Sequence, residues 1–373
     1  MKNMTSRERL TAVLNGEKPD YLPWSPLVDY YFLSSWDSKK AASIIDASQE
    51  LEFDLMERHV PTYSEPFGAS LELVCTNDVK YESVREEDKI FNRYITPKGT
   101  IEEKRVTTEK IKYGFIKKHY IEDIEDLRIY KYVLENLEFK SMKEEFKKKD
   151  KEIGEAGIAV PSAPLTPIQQ FLQFLIGLEK TVYMLMDHPE EMQEVLDLIH
   201  EKNKECYEII LDYPSDVVIP YEDTSTTVLS PNMYENYCMD YIDEYAELAL
   251  AKDTKYITHM CGKLSKLIDQ LAAGKMDGID SMCPPTSGDL WPYDAREELG
   301  DKKIIIGGIE PASLQKLSVD EVKDYVMDLL KKMQPGYNFI LSTGDATPHG
   351  TPIKNLWAVA EIRDKYGKFP LNI

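Results

Sequence analysis

Six short apolar runs mark the second half of the chain, and each closes on small or polar residues. They are GIAVPSAP from Gly157, DVVIPYED from Asp216, TKYITHMC from Thr254, MDGIDSMC from Met276, KKIIIGGIEP from Lys302 and NFILSTGDA from Asn338. Runs this short, rich in β-branched residues and separated mostly by stretches of helical period, predict buried parallel strands alternating with helices. The stretch after Cys261 shows the period: Leu264, Leu267, Ile268 and Leu271 form one stripe, and Gly274 stops it. With room for two more steps in residues 20 to 60, the pattern predicts an α/β fold, a (β/α)8 TIM barrel built as one domain from residues 1–373.

The first half has a different texture. TSRERLTAVLNG reads as a helix capped by Thr5 or Ser6, with Leu10, Val13 and Leu14 at helical spacing and Gly16 at its end. DYLPWSPLVDYYFLSSW is aromatic and broken by Pro23 and Pro26, hence extended or looped. Residues 68–120 alternate as antiparallel strands do, with PKG as a turn signal, and predict a β-rich insertion or flap within the barrel. The lysine-rich helix near 139–152 reads as a solvated face.

Composition narrows the partners. With 66 acidic and 45 basic side chains the net charge is −21, which disfavours nucleic acid and anionic membranes. No uncharged stretch reaches the roughly 18 apolar residues that a membrane helix needs, and the N-terminal segment lacks a signal-peptide core. A soluble, cytoplasmic protein is expected. Five cysteines, an odd number scattered over the chain, point to reduced thiols rather than a disulfide framework.

The chemistry gathers where strands end and the following loops begin. His259 and Cys261 are two apart at such an end, so an inward-facing strand turns both donors toward the mouth. Imidazole with thiolate is half of a zinc site, and a catalytic zinc takes further protein ligands while keeping one position open. Glu222, Cys283 and Asp345, at equivalent ends, are the candidates to complete it. Taken alone the pair has an ordinary reading, a packed histidine and a small buried cysteine; its place among three further donors favours the metal.

Other positions carry softer expectations. Trp24, Asp29, Tyr30 and Tyr31 can form an aromatic wall and anchor for a planar ligand, or ordinary core. Glu310 can face the cavity as an acid or cap the helix that Pro311 opens. His349 is placed to orient or protonate a leaving oxygen, unless it is simply solvated.

Several of these stretches together resemble the uroporphyrinogen decarboxylase superfamily in its corrinoid-dependent methyltransferase branch. The resemblance runs through RERLTAVLNGEKPDYLPW, TPKGTIEEKR, THMCGK, GGIEPASL and FILSTGDATPHGTPIKNL. It implies that His259 and Cys261 of the H-x-C-G element bind zinc. Members that pass a methyl group to coenzyme M carry a metal-binding cysteine in a C-terminal GC element where this chain has Asp345, and another strand end that offers an acid there ends here in Cys283. The ligand set is therefore some four of His259, Cys261, Cys283, Asp345 and Glu222.

Carboxylate in place of thiolate makes a harder, more oxygen-seeking metal. That suits an O-demethylase moving a methyl group from a methoxylated, aromatic substrate to cob(I)alamin. No D-x-H-x-x-G pattern is present, so the cobalamin is expected on a partner corrinoid protein. The alternatives are a methylcobalamin-dependent thiol or tetrahydrofolate methyltransferase, a uroporphyrinogen decarboxylase, or a non-catalytic module whose barrel mouth only holds a corrinoid or partner. Residues 22–36 lack the arginines with which such decarboxylases hold a polycarboxylate.

Overall fold

The structure, a computed structural model, describes residues 4–36, 43–108 and 114–373. All six expected runs form strands. Leu55–Glu57 pairs in parallel with Gly157–Ala159, and Val217–Val218, Lys255–His259, Gly278–Met282, Ile304–Ile309 and Phe339–Thr343 form a parallel sheet in chain order. Individual backbone hydrogen bonds join the remaining steps. Asp54 N donates to Trp24 O at 2.7 Å, Ile219 N to Pro161 O at 3.3 Å, and Leu341 N to Pro23 O at 3.0 Å. With the extended stretch at Pro23 and Trp24 counted beside these seven strands, each of eight segments is thus bonded to the next, and the last to the first.

Burial on both faces explains why these strands read as continuous apolar runs rather than as alternation. One face meets the surrounding helices. The other joins a separate apolar cluster that includes Ile158, Ile219, Ile257, Ile306 and Ile340, against which the N-terminal helix packs Leu10, Val13 and Leu14. That helix spans Ser6–Leu14 and opens with a capping box between Thr5 and Glu8. Arg9 fastens it to the sheet through Asp20 and Asp54.

The β-rich segment is an antiparallel sheet of Lys80–Glu86, Lys89–Thr96, Gly99–Val106 and Phe115–Lys118. Thr96 pairs with Gly99, so Pro97 and Lys98 form the tight turn that PKG signalled. The β-rich texture also reaches beyond residue 120: Leu137–Lys140 returns after the helix Ile124–Glu135 to pair with Glu72–Cys75. The lysine-rich helix, Lys143–Ile153, buries Phe146 and Ile153 and turns its lysines outward.

All five cysteines are free. Among the described residues, no helix is long and apolar enough to cross a membrane.

Candidate metal centre

His259 ends its strand with its side chain buried, 2% exposed. The ring is fixed from behind. Nδ1 lies 2.8 Å from Asp280 Oδ2, and Asp280 Oδ1 accepts a 2.6 Å hydrogen bond from Arg58 Nη2. Burial by itself raises a carboxyl pKa, but Arg58 and His259 outweigh it and hold Asp280 down to about 2. An ionised Asp280 keeps the ring proton on Nδ1 and leaves Nε2 free to act as a ligand.

Nε2 faces Asp223 Oδ1 at 3.5 Å, and Cys261 Sγ lies 3.8 Å from the same oxygen. All three donor atoms fall within 4.8 Å of one another. Zinc bonds of about 2.0–2.3 Å in a tetrahedron separate neighbouring ligands by roughly 3.3–3.8 Å, so one nitrogen, one sulfur and one oxygen at these separations fit a divalent ion with little movement. The centre's electrostatics are those of donors crowded together. Burial raises the Cys261 thiol far above its ordinary range, with Asp223 and Asp345 adding to the effect. Asp223 exposes 44% of its side chain, yet its carboxyl is pushed up to about 6 by desolvation, with Asp345 adding to the rise and His259 and Cys261 opposing it. Burial disfavours a charged His259, but Asp280, Asp223 and Asp345 outweigh it and raise the pKa. A cation among these donors relieves the repulsion of the acids and displaces the thiol proton.

The acid beside the pair is Asp223, not its neighbour Glu222. Glu222 is fully buried and accepts hydrogen bonds from Thr166 N and Oγ1, both at 2.7 Å; burial pushes it up to about 7. Asp345 lies close enough to Cys261 to raise its thiol, while one of its oxygens accepts from Ala346 N at 2.6 Å. Cys283 is buried, its thiol pushed up to about 12 by desolvation and donating to Pro284 O at 3.5 Å. Gly344 lets the two neighbouring segments approach: a Cβ there would lie 2.8 Å from Cys283 Sγ.

The remaining expected residues fall elsewhere in the fold. Trp24 is wholly buried in the core. Asp29 caps the helix Tyr30–Ser34, on which Tyr30 and Tyr31 are 58% and 39% exposed. Tyr31 lies against His349, with ring centroids 4.7 Å apart. Glu310 caps Pro311–Lys316 through Ser313 N and accepts from Ser287 Oγ at 2.6 Å. These hydrogen bonds overcome burial and hold its carboxyl below the ordinary range.

The rings nearest the centre are different ones. Tyr221 stacks on His259 with centroids 4.2 Å apart and planes 14° from parallel. His59 follows at 4.1 Å from Tyr221, and Tyr63 at 4.7 Å from His59, with Phe174 beyond. All four are half-buried.

The chain belongs to the uroporphyrinogen decarboxylase (URO-D) family, whose profile matches residues 108–366. A solved structure described as a methyltransferase from Methanosarcina mazei is similar over 97% of this chain and 99% of that one, with a TM-score of 0.63 and 16% identity. At that identity the likeness is one of fold. No curated protein matches the sequence.

Proposed function

We propose that this chain is a zinc-dependent methyltransferase of the URO-D superfamily, and that it moves a methyl group from a methoxylated aromatic compound to the cob(I)alamin of a partner corrinoid protein. One observation carries the reading: His259 Nε2, Cys261 Sγ and Asp223 Oδ1 converge within 4.8 Å. The M. mazei protein's fold likeness agrees with it. The eight hydrogen-bonded segments support a closed (β/α)8 barrel with this centre at its mouth, the antiparallel sheet serving as a flap. Cytoplasmic location follows from the same reading.

His259, Cys261 and Asp223 would hold the ion, with Asp345, which faces Cys261, favoured over Cys283 and Glu222 as a further ligand. Bound there, zinc supplies a Lewis acid that makes an ether oxygen a better leaving group. Asp280 and Arg58 keep the His259 ring in register, and the neighbouring aromatic rings exclude water and seat a planar ligand. His349 and Tyr31 stay as candidates for contact with the leaving group or the substrate, as do Tyr30, Asp29, Trp24 and Glu310 in their capping and packing places. The acids crowded here do not suit a polycarboxylate, and Arg58, the buried cation beside them, is committed to Asp280.

The test is formation of methylcobalamin from cob(I)alamin and a methoxybenzene, followed by absorbance, together with metal analysis. About one zinc per chain is expected, with metal and methyl transfer lost together in His259→Ala and Cys261→Ser. Transfer that persists without metal overturns the reading. Turnover of methylcobalamin with a thiol or tetrahydrofolate, but none with ethers, reverses the direction.

A further inference from the structure

His59 stands just beyond the strand Leu55–Glu57 in a left-handed backbone conformation, φ 62°. Non-glycine residues are held there at a cost, and such strain collects at functional positions. Its ring lies tilted against Tyr221, which stacks on His259, and meets Tyr63 edge to face.

The hydrogen bonding fixes the tautomer. Nδ1 lies 2.6 Å from the Oγ of Ser162, a residue that is 1% exposed. Among the described residues that hydroxyl has no other hydrogen-bond partner. If Nδ1 carried the ring proton, the buried Ser162 hydroxyl would have no acceptor for its own, which costs about 1–3 kcal/mol. Ser162 therefore donates to Nδ1, and the ring proton sits on Nε2, which has no hydrogen bond to the described residues. Burial, with His259 and Arg58 nearby, lowers the imidazole pKa to about 3, so the group is neutral. Among these rings, the buried Tyr221 hydroxyl also lacks a partner.

We propose that His59 Nε2–H is the hydrogen-bond donor that anchors a second ring oxygen of an aromatic ether whose methoxyl oxygen lies at the metal centre. The inference rests on the methyltransferase reading for its substrate class. It makes His59 a specificity residue: the site prefers rings that carry another oxygen, spaced from the first as His59 is from His259 across Tyr221. A neutral donor suits a neutral ether or phenol oxygen and adds no charge that would draw a carboxylate past Asp223 and Asp345.

Calorimetric binding of methoxybenzene and the three dimethoxybenzene isomers tests this without turnover, since the added oxygen only accepts. At least one isomer is expected to bind the unaltered protein about 3- to 10-fold more tightly than methoxybenzene, the span of one neutral hydrogen bond. That preference falls to about 1 in His59→Phe, which keeps an aromatic ring. It is partly retained in His59→Asn, which keeps a donor and tolerates the backbone, and weakens in Ser162→Ala, where the tautomer is released. Unchanged zinc content and thermal midpoint show that the variants fold.

Equal binding of all four probes by the unaltered protein overturns the inference, as does a preference untouched in His59→Phe. If ether demethylation proceeds while the preference is absent, the inference alone fails. If the preference follows His59 but no ether is demethylated, the methyltransferase reading fails and the ring site stands.

Discussion

Arg58 and Asp280 meet at 2.6 Å with 2% and 0% of their side chains exposed, whereas Arg93 and Glu102 meet at the same distance with 37% and 25% exposed. The first pair lies where the parallel strands end, the second on the antiparallel sheet. In the parallel sheet every residue of Gly278–Met282 and Ile304–Ile309 is buried, so a charge there needs a complete set of partners. Asp280 has one in Arg58 and another in His259. Every residue of Lys80–Glu86 is exposed, and water does for the charges of that strand most of what a partner would. Equal lengths thus conceal unequal consequences: the buried pair orients the His259 ring, and the more exposed pair lies at the surface.

The largest effect expected from breaking this contrast is that of Asp280→Asn. It leaves Arg58 buried without its counter-charge, at a cost of about 3–5 kcal/mol, and frees the His259 ring, lowering zinc affinity about 10- to 100-fold. Denaturant titration and chelator competition measure the two losses. Gly157→Ala comes next. A Cβ there would lie 1.8 Å from the Leu55 carbonyl oxygen, so the adjoining parallel strands must separate, with about 1–3 kcal/mol lost in the same titration and the other strand ends undisturbed.

His59→Asn sharpens the comparison through pH. The folded protein holds the imidazole pKa at about 3, below its ordinary value, so the unfolded chain binds the extra proton first. This contribution is present above about 6.5 and is lost as pH falls toward 3. Arg58 and His259 oppose the charge and Asp280 favours it. With the imidazole removed, the acid limb of unfolding should move to lower pH, followed by circular dichroism. The smallest effect belongs to Arg93→Ala, expected to cost under about 1 kcal/mol and to leave zinc binding unchanged.

The fold was more legible than the centre. Six strands stand where short apolar runs ended in polar residues, because burial on both faces writes itself into consecutive positions. The Leu55–Glu57 strand, three residues long, is too short to show a pattern, and with it the roles of Arg58 and His59 went unread. The convergence of His259 and Cys261 was legible from their spacing. The acid beside them was not: Asp223 has a left-handed backbone, φ 47°, which breaks the alternation that would decide whether 222 or 223 faces the pair. Ser281, at φ 64°, does the same where the register shifts between Ile279 and Met282, so the inward direction of Asp280 and Cys283 could not be counted off the strand. One signal was available. An aspartate inside the apolar run MDGIDSMC must find a cation or a strong donor if the run is buried, and that requirement points to Arg58 and His259.

X-ray absorption at the zinc edge tests the central claim most directly, because it counts donors by type. The zinc-loaded protein should show one sulfur at about 2.3 Å with the remaining nitrogen and oxygen donors at about 2.0–2.2 Å, and Cys261→Ser should remove the sulfur shell. Two sulfurs, or a sulfur shell that survives Cys261→Ser, would contradict a centre built from His259, Cys261 and Asp223.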